Sequence, residues 1–298
     1  MEQFQFLMQV LQTISESQGD PDKVYPLFRE NLDQLNVNLA QTLRDWASQI
    51  LSQVEPEQAT TIAVDIAHLG KLIQEFSSDR RADQMEIAIA CAEVALEVYP
   101  RSTYPKQWAM TQINLVDVLV ELFETSQKPQ YLDQAFSLFE ELVTVNQKIV
   151  YPAPLVFYKL GKSLSKQGSY KKAIQTLERT LTLLQEYSLN TVEKLQLMAL
   201  TLFELARLSH QLLRLDHAKL YFKDALRLFR RLKDEDSAAS VMTALGNLEL
   251  QIGQSEAAQS HLESAFLYYD SQNKLAQKQE VNRLLTLLKN HQKQITMG

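Results

Sequence analysis

The chain has 298 residues, of which 45% are hydrophobic, with one cysteine and a formal net charge of −6. That apolar content is ample for a packed core and excludes a disordered chain. The single cysteine, Cys91, excludes both an internal disulfide framework and a multi-cysteine zinc site, and the interspersed acids and bases argue against a general nucleic-acid-binding surface. The N-terminal stretch MEQFQFLMQVLQTI lacks the basic start and small-residue cleavage site of a signal peptide, and no stretch approaches a membrane span, so the expected setting is reducing and cytoplasmic.

In chain order, the segments Glu2 to Glu16, Asp22 to Gln34 and Asn36 to Gln53 read as helices, with GDPDK as a turn and Asp22 as a helix cap. Together they form an N-terminal helical cap over residues 1–57. A pattern of helix pairs follows, near 58–98, 106–149, 154–187, 191–233 and 236–272. The first pair carries Leu69, Gly70, Ala88 and Ala95, and the second Leu115, Val116, Ala135 and Phe139. The third carries Leu160, Gly161, Gly168, Tyr170 and Ala173; the fourth Leu205, Ala206, Ala218, Phe222 and Ala225; the fifth Leu245, Gly246, Gly253, Ala258 and Ala265. From the small residue of the first helix to the alanine of the second, the gap is 18 and 19 residues in the first two pairs against 12 in the third, which predicts longer turns in the first two. Val116 and Thr180 stand where smaller residues are preferred, predicting looser crossings there. The last proline is Pro154, so the second half should be almost wholly helical. In YPRSTYPKQW and VYPAP, the prolines Pro105, Pro152 and Pro154 fall where a first helix begins and a missing amide hydrogen costs nothing. Trp108, just after Pro105, is expected to pack against the preceding repeat's second helix. Residues 273–298, with NKLAQKQEVNRLLTLLKN, read as a terminal amphipathic helix and tail.

These positions resemble the tetratricopeptide repeat, in which small residues let two antiparallel helices approach closely while larger apolar residues fill the grooves around them. The first-helix positions Gly70, Val116, Gly161, Ala206 and Gly246 step by 46, 45, 45 and 40, longer than the usual thirty-four. That long period is similar to repeat arrays common in cyanobacterial proteins, some of which precede a caspase-like protease domain. The resemblance implies an all-α, right-handed α-solenoid of about five helix pairs whose first helices line a concave face. The residue after each small position would point into it, selecting Lys71, Asp117, Lys162, Arg207 and Asn247. Tyr158, Phe203 and Thr243 come one turn earlier, and Lys166 and His210 one turn later. A groove of Tyr158, Lys162, Lys166, Phe203, Arg207, His210, Thr243 and Asn247 would suit a protein or an extended peptide with acidic residues or a free carboxylate.

No chemistry emerges elsewhere. The sequence has no phosphate-binding glycine loop, no HExxH and no EF-hand pattern, and no cofactor, metal or catalytic residue is expected. A turn separates His210 from His217, so they should not share a ligand face. Cys91, His68, Trp46 and Trp108 read as packing residues, and the run DEDS from Asp234 as a helix cap. A base-by-base RNA reader needs a basic surface and short repeats that this pattern lacks. The reading is a non-enzymatic scaffold, adaptor or assembly factor; the alternative is the sensing part of a protease or signalling system whose catalytic part lies on another chain.

Overall fold

The computed structural model describes residues 2–144, 153–186 and 191–297, the last seven as backbone alone. Among these residues there are fourteen α-helices and no strand, an all-α fold of the helical-repeat, solenoid type expected from the sequence. The chain divides into two compact units, residues 1–167 and 168–298. The division falls between the two helices of the third pair.

In the first unit, α1 (Glu2–Ser17), α2 (Pro21–Glu30) and α3 (Val37–Ile50) share one core with α4 (Pro56–Glu75) and α5 (Arg81–Val98). Ile14, Val24, Phe28, Leu43, Ile66 and Ile73 are fully buried there, and Phe28 and Phe76 meet edge to face at 5.3 Å. The cap of α2 is Asp20 rather than Asp22: the Asp22 amide donates to Asp20 Oδ1 at 3.0 Å, because Pro21 takes the first helical position and moves the cap one residue before it. α2 stops at Glu30, short of the predicted Gln34, and a 3₁₀ turn covers Leu32–Gln34.

At the α4–α5 crossing the need for glycine is steric. A methyl group on Gly70 would come within 2.9 Å of Cys91 Cβ. Cys91 is buried, and burial pushes its thiol well above the ordinary value, which suits packing and not nucleophilic chemistry. Five residues, 76–80, join the two helices, the longer turn the spacing predicts. It is closed by Gln84, whose Nε2 donates to the Phe76 carbonyl at 2.9 Å.

The second pair departs from expectation. α6 (Pro105–Ser126) and α7 (Pro129–Val143) are joined by only Gln127 and Lys128. The extra spacing is taken up by helix: nothing breaks α6 until Pro129 forces Lys128 out of the helical region, and Gln127 turns the chain at φ +55°. Pro105 opens α6 as its first helical residue. Trp108 is buried with the Arg101 guanidinium 5.3 Å from its ring centre, and Tyr99 and Tyr104 pack edge to face at 5.6 Å. The tyrosine-proline stretch is thus a joint. Pro152 lies outside the described residues; Pro154 sits in the first turn of α8 (Ala153–Gln167). Phe139 of α7 meets Phe157 of α8 edge to face at 5.0 Å.

The second unit holds α9 (Tyr170–Glu186), α10 (Val192–Gln211), α11 (Leu215–Leu232), α12 (Glu235–Gln251), α13 (Ser255–Ser271) and α14 (Leu275–Met297). Phe222, Phe229, Leu245, Leu248, Leu262 and Val281 are fully buried in one core. A methyl group on Gly246 would come within 2.7 Å of Leu262 Cγ, so α12 and α13 also cross through a glycine. Asp234 caps α12 as expected, accepting from the Ser237 amide at 3.0 Å. α14 buries Val281, Leu284 and Leu288 against this unit and turns polar residues outward.

Inside this core Glu249 is buried, with 1% of its surface exposed. His261 Nδ1 donates to its Oε2 at 2.7 Å, and Lys219 Nζ lies 3.9 Å from Oε1, so the charge is compensated from α13 and α11. No helix among the described residues is long and apolar enough to cross a membrane.

Candidate binding groove

In the first unit the first helices α4, α6 and α8 present polar side chains to one another, and these form a ladder of hydrogen bonds one repeat apart. Gln74 of α4 donates to Asp117 Oδ2 of α6 at 3.0 Å, and Lys159 of α8 donates to Asp117 Oδ1 at 2.7 Å. Four residues further along α6, Glu121 pairs with Arg81 of α5. One turn beyond Glu121, and two beyond Asp117, Glu124 accepts from Ser163 Oγ at 2.5 Å and from Lys166 Nζ at 2.8 and 2.9 Å.

Between α6 and α8 these residues frame an open cleft of about 290 Å³. Asp117, Glu121 and Glu124 line one side, and Lys159, Lys162, Ser163 and Lys166 the other, with Val120 at the floor. The cleft is zwitterionic. Burial works to raise the Glu124 carboxyl, but the hydrogen bonds from Lys166 and Ser163, with the charges of Lys166 and Lys162, outweigh it and hold Glu124 below the usual carboxylate range. Lys162 is exposed, and among the described residues it has no ion-pair partner. It is the cation of the cleft with hydrogen-bonding capacity to spare.

The other predicted residues are placed as follows. Tyr158 is buried in the first unit. Lys166 is committed to Glu124. In the second unit, Phe203 packs on Phe222 with ring centres 6.0 Å apart, and His210 Nε2 lies 2.8 Å from Gln251 Oε1, linking α10 to α12. Arg207 reaches back one turn to Glu204 at 3.3 Å and stays largely exposed. Thr243 donates to the Ala239 carbonyl of its own helix at 2.9 Å, and Asn247 is half-buried. Lys162 and Lys166 therefore share a cleft, while Phe203, Arg207, His210, Thr243 and Asn247 lie on α10 and α12 of the second unit.

Reading the sequence missed Gln74, Glu121, Glu124, Lys159 and Ser163. The signal was present: acids at 117, 121 and 124 follow i, i+4, i+7 spacing on α6, and Lys159, Lys162 and Lys166 follow i, i+3, i+7 spacing on α8, about one repeat later. Opposite charges one repeat apart on successive first helices are cross-repeat partners. Among the described residues no cluster of histidine, cysteine, aspartate and glutamate could hold a metal ion.

Residues 155–183, covering most of α8 and of α9, match the tetratricopeptide repeat family. No curated protein matches the sequence. Among solved structures, aspartyl phosphate phosphatase F from Bacillus subtilis is similar at 14% identity and a TM-score of 0.46, over 96% of this chain and 78% of that one. The apo form of RapI aligns over the full length of both chains at 15% identity and a TM-score of 0.45. BtubC from P. vanneervenii aligns at 19% identity and a TM-score of 0.44, over 71% of this chain and 92% of its own. The chain thus contains a tetratricopeptide repeat within an all-α helical-repeat fold.

Proposed function

We propose that this chain is a non-enzymatic interaction scaffold or adaptor that binds a partner protein or peptide along its first-helix faces. The observation that carries the reading is the open cleft between α6 and α8. It combines three paired, partly exposed carboxylates, two paired ammonium groups and one exposed, unpaired lysine, Lys162. Such a set can orient an extended polar segment by charge-assisted hydrogen bonds, and Lys162 is matched to an acidic side chain or a free carboxylate. The Ser163 hydroxyl and the Glu124 carboxylate are in contact but are engaged with Lys166 in tying α6 to α8, and the cleft's charged groups suit binding of a polar segment.

The test is affinity capture from native cells with the full chain as bait, read by quantitative mass spectrometry. Lys162→Glu should lose the specifically captured proteins by about tenfold, since it reverses the exposed, unpaired charge of the cleft. The melting temperature should not fall, because this side chain is exposed. Undiminished capture would overturn the groove reading. A protease among the captured proteins would make the chain its sensing partner.

A further inference from the structure

We propose a second docking surface, on the turn between α10 and α11 and the outer face of α11, that takes an acidic, leucine-bearing protein segment. It uses none of the residues that line the α6–α8 cleft.

The first observation is a leucine in the wrong kind of place. Seven residues after the small first-helix position, the third and fifth pairs carry Gly168 and Gly253, with φ of +90° and +76°. The fourth pair carries Leu213 there, with φ of +58°. A left-handed turn suits glycine and costs a residue with a Cβ steric energy. Among the described residues, the other non-glycine residues in this region of backbone space, Gln18, Gln127, Lys233 and Asn273, are polar. Leu213 is 77% exposed, so the leucine returns nothing to the core for the strained backbone it occupies. Its neighbour Leu212 is also exposed.

The second observation is charge. From Arg214 to Lys233 there are seven lysines and arginines against two acids, in a chain whose overall charge is −6. Lys219 turns inward toward Glu249 and Gln254. Lys223, Arg227 and Arg231 are exposed around Leu220, itself 57% exposed, while Arg230 reaches across to Met242 of α12. Of these, Arg227 holds Asp224 at 3.2 Å, and among the described residues Arg214, Lys223 and Arg231 have no ion-pair partner. The nearby acids are Asp216 and Asp224 on the same helix, Glu178 of α9, whose charge reaches Tyr221, and the run Asp234–Asp236 just past the helix end, where Asp234 caps α12 and Asp236 pairs with Lys274. Helix-end stabilisation accounts for Arg230 and Arg231 in the last turn of α11, but not for Arg214 at its start or for Lys223 and Arg227 in its middle.

Exposed leucines framed by unpaired cations complement a segment that alternates carboxylates with apolar side chains. A phosphate backbone gives Leu213 and Leu220 nothing to cover, and two or three leucines on a helix otherwise buried in its repeat are too few to seat it in a bilayer. An acidic protein segment satisfies both features.

The test uses the full chain and the fluorescein-labelled peptide EELLEELLEELL, read by anisotropy at low salt. Leu213→Gly should weaken binding about fivefold, as loss of one interface leucine does, while the melting temperature holds or rises because glycine is the residue the flanking pairs use at this position. Lys223→Glu with Arg227→Glu should weaken it at least about tenfold, and replacing the peptide's leucines by serine should also weaken it. The proposal is overturned if the peptide does not bind or if both variants bind as wild type does. It is equally overturned if phosphatidylserine vesicles or a single-stranded oligonucleotide bind this face more tightly than the peptide.

Discussion

Single residues in this chain do one of two jobs, and Glu124 shows how the jobs combine. It lines the cleft, and through Ser163 and Lys166 it also ties α6 to α8. Because its carboxyl titrates lower in the folded chain than in the unfolded one, the stability it contributes is present above the ordinary carboxylate range and is lost as pH falls through its folded value. Glu124→Gln should therefore cost stability at neutral pH and nothing once the wild-type carboxyl is protonated. The difference should stay under about 1 kcal/mol, since the pair is partly solvated. Urea midpoints of the two proteins at a series of pH values would check this, and an equal difference at every pH would contradict it. Lys166 illustrates why a residue's job was only half legible: its place on the first-helix face followed from the register, but its commitment to Glu124 depends on how closely two helices a repeat apart approach.

At the scale of helices, the repeat pattern carried most of the information. Gly70 and Gly246 were identified by spacing, and both stand where a methyl group would collide with the second helix of the pair. Gly246→Ala should lower the unfolding free energy by about 1–3 kcal/mol, because the added methyl meets the fully buried Leu262 at its Cγ and forces it to move. Chemical denaturation would measure it, and an unchanged midpoint would show that the α12–α13 crossing can relax. The α6–α7 connection shows where spacing misled. A gap of 19 residues between marker positions can be a long turn or a long helix, and α6 is the long helix. The arbitrating signal was Lys128-Pro129, which permits helix up to its own doorstep and then ends it. The same local logic corrected the α2 cap, where Pro21 and not Asp22 opens the helix.

For the molecule as a whole, the charge is unevenly divided. Residues 1–167 carry thirteen lysines and arginines against twenty-two acids, and residues 168–298 carry seventeen against fourteen, so the net charges are −9 and +3. The two proposed surfaces differ accordingly, a balanced cleft in the first unit and a cationic outer face in the second. If they are separate sites, Lys162→Glu should leave binding of the acidic peptide unchanged, and Leu213→Gly should leave capture of groove partners unchanged, since sites with no shared partners act additively. Loss of both activities in either single variant would mean one shared site. Composition, the period of small and apolar residues and the placement of prolines determined the all-α repeat fold, because helix propensity and close helix crossing are local and periodic demands. Which charged side chains neutralise one another, and which remain free for a partner, was decided only by tertiary structure. Those pairings join residues roughly forty positions apart, and a side chain's partner depends on the distance between helices that the sequence brings together only on folding.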